Sequence, residues 1–315
     1  MIRTFAVAVD GGGIVHDPAS GLTHRATTPD PPGRQALRES DVTAAPLVPT
    51  RDLRRAGPVS LCWSPLVRCN LACLHCLDDT AVPELGRPER QRVAGVLAAA
   101  DVLGVDISGG EPLLLRELPD LARRIAAGGR AAVSVTTNGW HLARRTGELL
   151  GAVDAVRVSF DGPDGTRHDR WRGDGSFTRA AAGVREAVGV GLPVQLQTVL
   201  MESTRRDAQE IVDLAVTLGA SGVTFLQMLP IGAGAVLAPA EALPDPAAQD
   251  SIADLDVPAG FRLRLRLRDS DATGFTIVRA DGRVWRNTAG AASIASLHPL
   301  REPADLALTG VGGAS

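Results

Sequence analysis

Between residues 59 and 229 the chain alternates two textures. Short apolar runs are each followed by a longer stretch whose apolar residues recur every three or four positions, the periods of a strand and of an amphipathic helix. The strand-like runs are VSLCWS (59–64), VDIS (105–108), AAVSVTT (131–137), AVRVSF (155–160), PVQLQTVL (193–200) and GVTFLQML (222–229). The helical stretches cover 88–100, 118–128, 141–150, 176–191 and 206–219, and those at 118–128 and 176–191 end on glycine, a common helix stop. Six strand–helix alternations joined by short loops predict an α/β fold, a parallel sheet with helices outside. Six units are too few for a closed eight-stranded barrel, so the expected architecture is an open, partial (β/α)6 barrel.

The flanks read differently. FAVAVDGGGIVHDP (5–18) predicts a short hairpin turning at the glycine run. The stretch 27–50 is polar and Pro-rich and reads as a linker or wrapping arm. After Pro230 the alternation stops. Residues 232–250, rich in Gly, Ala and Pro, read as a loop with little structure, and FRLRLRLRD (261–269) alternates strictly, a strand with one arginine face. FTIVRADGRVWRN (275–287) reads as a hairpin turning at Asp281–Gly282, and the last 15 residues read as frayed. The expected division is an N-terminal extension or linker at 1–58, a partial-barrel core at 59–232, and a C-terminal region with a small β-hairpin at 233–315.

Composition narrows the class. With 315 residues, 44% hydrophobic and 22% charged, the chain can bury a large core and does not have a disordered make-up. A net charge of −3 argues against a broad nucleic-acid surface. No apolar run reaches the length of a membrane span, and the first residues lack a signal-peptide layout, so a cytoplasmic protein is expected. All 33 basic residues are arginine and tyrosine is absent, which reads as coding bias. Four cysteines are too few for a disulfide scaffold, yet three of them fall within eight residues.

That segment is WSPLVRCNLACLHCLDD (63–79), with Cys69, Cys73 and Cys76 spaced CxxxCxxC directly after the first core strand. Three thiolates on one tight loop can hold three irons of a [4Fe–4S] cluster, leaving the fourth open to a small molecule. Zinc is the competing reading, but it wants four ligands. His75 adjoins Cys76, which makes joint ligation awkward, and no second cysteine pair exists. Three reduced cysteines that merely lie close is the bland reading. The segment closely resembles the cluster loop of the radical S-adenosylmethionine (SAM) superfamily, and its CNLACLHC form resembles the subgroup that often carries a SPASM tail. The resemblance covers about residues 59–232. It implies a cluster whose open iron chelates SAM, cleavage of SAM to methionine and a 5′-deoxyadenosyl radical, hydrogen abstraction from a substrate, and a flavodoxin- or ferredoxin-type electron donor.

Further blocks carry the same resemblance. In SGGEP (108–112), Ser108, Gly109 and Gly110 close a strand end where backbone can approach a ligand, and Glu111 can accept from an ammonium group; the family's motif binds the SAM amino group. Thr137 and Asn138 of TTNGW (136–140) would lie near SAM, an ordinary helix-start turn being the alternative. The stretch 156–177 resembles the family's SxDGP…HDxxRGxGSF. By resemblance Ser159 and Asp161 contact the SAM carboxylate or ribose, and Arg172 clamps a carboxylate, since guanidinium suits bidentate pairing. His168 is either catalytic or bonded within its loop. MLPIGAG (228–234) is similar to the turn against which adenine packs.

Strand parity adds an independent reading. Arg157 and Ser159 share one face of the fourth core strand, Gln195 and Gln197 one face of the fifth, and Gln227 closes the sixth. Strands covered on both faces are ordinarily apolar throughout; alternating polar residues predict an inward polar lumen that holds substrate, or else hydrogen-bonded barrel filling. The C-terminal region has the shape of a SPASM tail, but no cysteine follows Cys76, so one cluster is expected. Cys62 adjoins Trp63, and one of the two must face the lumen; a buried core cysteine is the favoured reading. With Cys62 turned away and no tyrosine, the closing hydrogen or electron comes from elsewhere, favouring dehydrogenation, decarboxylation, elimination or carbon–carbon bond formation. The expected function is radical SAM chemistry on a small sugar-, aminosugar- or nucleoside-like metabolite in natural-product biosynthesis. Modification of a ribosomally made peptide and a non-catalytic metal-binding scaffold are the alternatives; the SGGEP and SFDGP blocks argue against the scaffold. Catalytic candidates are Cys62, Arg157, His168, Gln195 and Gln197.

Overall fold

The structure, a computed structural model, describes residues 1–9, 13–25, 31–49, 52–53, 55–77, 81–271 and 275–308. All six predicted core strands form: β5 (Ser60–Trp63), β6 (Gly104–Ile107), β7 (Ala132–Thr137), β8 (Ala155–Ser159), β9 (Val194–Leu200) and β10 (Gly222–Gln227), following four strands of the N-terminal region. They pair in sequence order and in parallel. The intervening helices are α2 (Arg87–Ala99), α3 (Leu118–Ala126), α4 (Leu142–Leu149), the short α5 (Gly165–Arg172), α6 (Ser176–Gly189) and α7 (Ala208–Leu218). One parity of the strands, including Val105, Ile107, Val133, Val135, Val156 and Val158, joins Leu97, Leu121, Ile125, Val184 and Ile211 from the helices in one fully buried core. The other parity is polar and faces inward, as the alternation predicted.

The sheet extends beyond six strands. β11 (Arg262–Arg266) adds in parallel to β10. At the other edge β12 (Thr276–Val278) adds in parallel to β5, then β13 (Arg283–Arg286) and β14 (His298–Pro299) follow antiparallel. The sheet order is β11-β10-β9-β8-β7-β6-β5-β12-β13-β14. It stays open: among the described residues β11 and β12 share no ladder, and side chains bridge the seam instead. The Arg266 guanidinium lies 3.8 Å from the Phe275 ring centroid, and Asn287 Nδ2 donates to Arg268 O at 3.5 Å. The β12–β13 hairpin turns around Asp281–Gly282 as expected.

The N-terminal region departs from a linker. β1 (Ile2–Ala8), β2 (Ile14–His16), β3 (Thr23–Arg25) and β4 (Gly33–Arg38) form an antiparallel sheet ordered β3-β2-β1-β4, followed by α1 (Glu39–Ala44). The expected β1–β2 hairpin exists, its turn at residues 10–12 lying outside the described residues. The polar run at 33–38 pairs along β1, so backbone pairing, not its polar composition, decides its structure. One face of this sheet packs Phe5, Val7 and Val15 on Val42; the other sets Ala6, Ala8 and Ile14 against Val59, Leu103 and Ala132 at the amino ends of the core strands. Arg34 clamps Asp154 with two bonds of 2.5 and 2.8 Å.

Two other expectations change. Residues 232–250 are not loop: α8 (Gly234–Glu241) and α9 (Asp245–Ala253) form there. Alanine is the strongest helix former, and α9 carries proline in its first turn, where its missing N–H costs nothing. The C-terminal stretch is tied down through residue 308. Leu306 is buried, its carbonyl accepts from Arg286 Nη2 at 2.8 Å, and Leu308 N donates to Ala56 O at 2.6 Å. Residues 309–315 lie outside the described part. No helix of the described residues is long and apolar enough to cross a membrane.

Candidate active site

A cavity of about 820 Å³ runs from the cysteine loop down the inside of the sheet to the N-terminal region. Its upper wall carries Cys69, Cys73 and Cys76, its sides Cys62, Ser64, Asp106, Ser108, Thr136, Arg157, Ser159, Gln197, Thr224, Arg264 and Arg266, and its floor His16, Pro18 and Gly21. Its upper end lies where α/β sheets bind ligands, at the carboxyl ends of parallel strands.

The cysteine loop is gripped by backbone. Val67 N and Arg68 N donate to Glu84 Oε1 at 3.0 and 2.9 Å, Gly110 N to Leu66 O at 3.0 Å, and Glu111 N to Arg68 O at 2.9 Å. A Cβ on Gly110 would stand 2.1 Å from Arg68 O, and one on Gly109, whose φ is +109°, 2.4 Å from Leu66 O. SGGEP thus lies directly against the backbone leading into Cys69. From the other side Ala233 N donates to Cys76 O at 2.9 Å, and a Cβ on Gly232 would stand 2.8 Å from the Cys76 and Leu77 carbonyls. The PIGAG turn therefore braces the loop's far end.

These observations fit a cluster held by three thiolates. Cys69 and Cys76 are exposed and Cys73 half-buried, all three without a disulfide. Arg172 Nη1 lies 4.0 Å from Cys73 Sγ, a positive group beside a sulfur that must be anionic to bind iron. His75, the zinc alternative's fourth ligand, is turned away: it is buried, with Nε2 3.1 Å from Asp161 Oδ2. Among the described residues no three His, Cys, Asp or Glu side chains converge on a single-ion site.

Several of the predicted cofactor contacts bond to one another in the cavity wall, Thr137 and Asn138 lining it. Glu111 is fully buried and absent from the lining. Its carboxylate accepts from Leu113 N at 2.9 Å, Thr137 Oγ1 at 2.7 Å and Asn138 N at 2.8 Å, and burial pushes its pKa up in spite of these bonds. Asp161 is equally enclosed. Burial alone would raise it, but Arg172 and His75 hold it well below the usual carboxylate range: Arg172 Nε reaches Oδ2 at 2.5 Å, and Val199 N reaches Oδ1 at 2.8 Å. Arg172 is the member of that pair that lines the cavity. Asn138 donates to Asn70 Oδ1 at 3.0 Å and lies 3.7 Å from Cys69 Sγ, linking the third strand end to the cysteine loop.

The catalytic candidates divide. Cys62 faces the cavity rather than the core, with Sγ 2.9 Å from Ser108 Oγ; Trp63 is the residue that packs outward, and it is buried. Gln197 and Ser159 line the cavity. Arg157 also lines it, but its guanidinium is occupied by Ala19 O at 2.9 Å, Pro18 O at 2.6 Å and Asp106 Oδ1 at 2.9 Å. Gln195 does not reach the cavity; it is buried below it, facing Thr224 Oγ1 at 3.4 Å. His168 does not reach it either. Its ring lies between Phe160 and Phe177, and Nδ1 accepts from Asp161 N at 3.2 Å. Burial and then Arg172 push it down to about 4, so it is a neutral structural histidine.

Sequence reasoning missed His16, Asp106, Arg264 and Arg266. Asp106 accepts from Ser134 Oγ and Thr136 Oγ1, each at 2.7 Å, and from Arg157. The signal for Asp106 was the same parity that singled out Arg157, and for the arginines the alternation at 261–269. His16 had no signal, because nothing local tells that the N-terminal sheet meets the barrel.

Comparison with protein families matches residues 63–215 to the model described as "Radical SAM superfamily". Among curated relatives, a probable GTP 3′,8-cyclase of Metallosphaera sedula is 29% identical over 53% of this chain and 54% of its own. A GTP 3′,8-cyclase of Pelotomaculum thermopropionicum is 33% identical over 59% of this chain and 60% of its own. The chain thus spans about half the length of the curated relatives it matches. Among solved structures, Streptococcus suis SuiB bound to S-adenosylmethionine superposes with a TM-score of 0.56 at 14% identity, covering 89% of this chain and 80% of that one; this likeness concerns the fold. With the cysteine loop and its braces in place, residues 63–215 are a radical SAM domain, of the superfamily whose enzymes use a [4Fe–4S] cluster and S-adenosylmethionine.

Proposed function

We propose that this chain is a radical SAM enzyme acting on a small metabolite of the sugar, aminosugar or nucleoside class. The observation that carries the reading is the continuous cavity joining the three-cysteine loop to a lumen of inward polar side chains. Its volume falls in the range of small-ligand sites. Bound together, the cluster and SAM supply a 5′-deoxyadenosyl radical that abstracts a substrate hydrogen. Cys69, Cys73 and Cys76 would hold the cluster. The Ser108–Gly109–Gly110 edge, Ser159 and Arg172 would receive SAM; Arg172, held from behind by Asp161, presents its remaining donors to a carboxylate. Glu111 would keep that edge in place through Thr137 and Asn138, both of which line the cavity beside it. Ser159 and Gln197 offer hydrogen bonds to a polar substrate. Cys62 would return a hydrogen atom to a substrate radical, the resulting thiyl radical being reset by one electron from the donor protein and one proton, so redox-neutral outcomes join the dehydrogenation, decarboxylation, elimination and carbon–carbon bond formation expected from sequence.

The floor supports a small substrate over a peptide: Pro18 and Ala19 close the lumen through Arg157. The nucleotide in the names of the cyclase relatives supports the nucleoside end of the class. A flavodoxin- or ferredoxin-type protein would deliver the electron. The test is anaerobic reconstitution followed by dithionite and SAM. About four irons per chain and release of 5′-deoxyadenosine are expected, both lost in Cys73→Ala. About eight irons would overturn the single-cluster reading, and no 5′-deoxyadenosine the enzyme reading.

A further inference from the structure

Most arginines around the lumen are accounted for by the fold. Arg157 is committed to Pro18, Ala19 and Asp106, Arg172 to Asp161, and Arg262 to Asp17 and Glu39 at 3.3 and 3.0 Å. The next two arginines on the same face of β11 differ. Arg264 gives one bond, Nη1 to Ser20 O at 3.0 Å. Arg266 rests on the Phe275 ring, and its Nη2 is shut away from solvent with no hydrogen-bond partner. No carboxylate of the described residues pairs with either. Both line the cavity.

Such an arrangement is costly for folding alone. A guanidinium taken from water without a partner is penalised, and two like charges on adjacent inward positions of one strand repel. Burial and then Arg264 push Arg266 down to about 9, and burial and then Arg157 push Arg264 down to about 10. Cys62 and then Asp271 act on Arg266 with the opposite sign, as Asp271, Asp106 and Asp17 do on Arg264, without cancelling the effect. Both arginines remain cationic at neutral pH. The Phe275 face holds the Arg266 plane and leaves its donor edge for a ligand, and a planar donor fork matches a carboxylate or phosphate.

We infer that Arg266, assisted by Arg264, binds an anionic group of the substrate, a carboxylate or a phosphate, at the β11 wall of the cavity. This rests on reading the cavity as a substrate chamber, and it makes the substrate an acid or a phosphorylated metabolite rather than a neutral sugar.

Calorimetric titration of the full chain, as purified and after reconstitution, with inorganic phosphate and separately with acetate, tests this. One saturable site per chain is expected for at least one anion. Arg266→Gln should weaken it about tenfold or more, Arg266→Lys should keep part of it, and Arg123→Lys, at an exposed position of α3, should leave it unchanged. Saturation by phosphate alone marks a phosphorylated substrate, by acetate alone a carboxylic acid. No saturation by either, an unchanged isotherm in Arg266→Gln, or an equal loss in Arg123→Lys would each overturn the inference. Because the titration needs neither SAM nor turnover, its failure is separate from failure to form 5′-deoxyadenosine.

Discussion

Gly110→Ala tests whether the SGGEP turn positions the cysteine loop. The added Cβ would stand 2.1 Å from Arg68 O, 2.4 Å from Val67 O and 2.5 Å from the Arg68 carbonyl carbon, all backbone atoms with no rotamer to escape into. Ordinary contact lies more than an ångström further out, so the 66–68 segment must shift by about that much. That segment leads directly into Cys69 and is fixed by Glu84, Gly110 and Glu111, so a shift breaks short hydrogen bonds as well. Overpacking of this kind costs about 1–3 kcal/mol, and each lost buried bond adds about 1 kcal/mol. The expected outcome is a lower unfolding midpoint together with iron incorporation well below the parent under identical reconstitution. Gly147→Ala is the matched control. Gly147 lies inside α4 with nothing near its would-be Cβ, so alanine there should stabilise by about 0.5–1 kcal/mol and leave iron content intact. Full iron and an unchanged midpoint in Gly110→Ala would refute the reasoning.

Three further outcomes are expected. His168 is held near 4, well below its ordinary 6.5; the unfolded chain therefore binds the proton first, and stability present above pH 6.5 should be lost as pH falls from 6.5 through 4, on the order of 3 kcal/mol from this residue. Urea titrations at several pH values should show a shallower slope in His168→Gln, His16 adding to what remains because it too is held low, near 3; an identical slope would contradict the assignment. Asp17→Asn removes one of the two carboxylates that Arg3 and Arg262 share, at 2.6 and 3.3 Å, and leaves them Glu39 at 3.2 and 3.0 Å, so chemical denaturation should show a loss of about 1–3 kcal/mol. Cys62→Ser should leave iron content and 5′-deoxyadenosine formation near the parent but change the product, read by mass spectrometry in deuterated water; an unchanged product removes Cys62 from hydrogen return.

What could be read in the sequence was whatever depends on local period. The six core strands and their helices follow from hydrophobic spacing, the cysteine loop from three thiols in eight residues, and the polar lumen from parity at Arg157, Ser159 and Gln197. What could not be read depends on distant partners. Glu111 and Asp161 have the chemistry of ligand contacts, and only the positions of Thr137, Asn138, His75 and Arg172 show that their oxygens are already taken. The run at 33–38 is polar and follows prolines, yet pairing with β1 makes it a strand. Cys62 and Trp63 were a choice of two orientations, decided by the register of β5 between β6 and β12. In each case a tertiary neighbour outweighed local propensity.

The closed floor also governs how this chain can be made. The bonds that seal it join positions far apart: Ala19 to Arg157 across 138 residues and Ser20 to Arg264 across 244. A segment synthesised first therefore waits for one synthesised nearly last, with Asp17 lacking one of its two arginines until β11 has left the ribosome. Native pairings this remote are slow to form. The lumen, with its thiols, lacks the bond from Ser20 to its wall through most of synthesis and gains it only when β11 docks on β10.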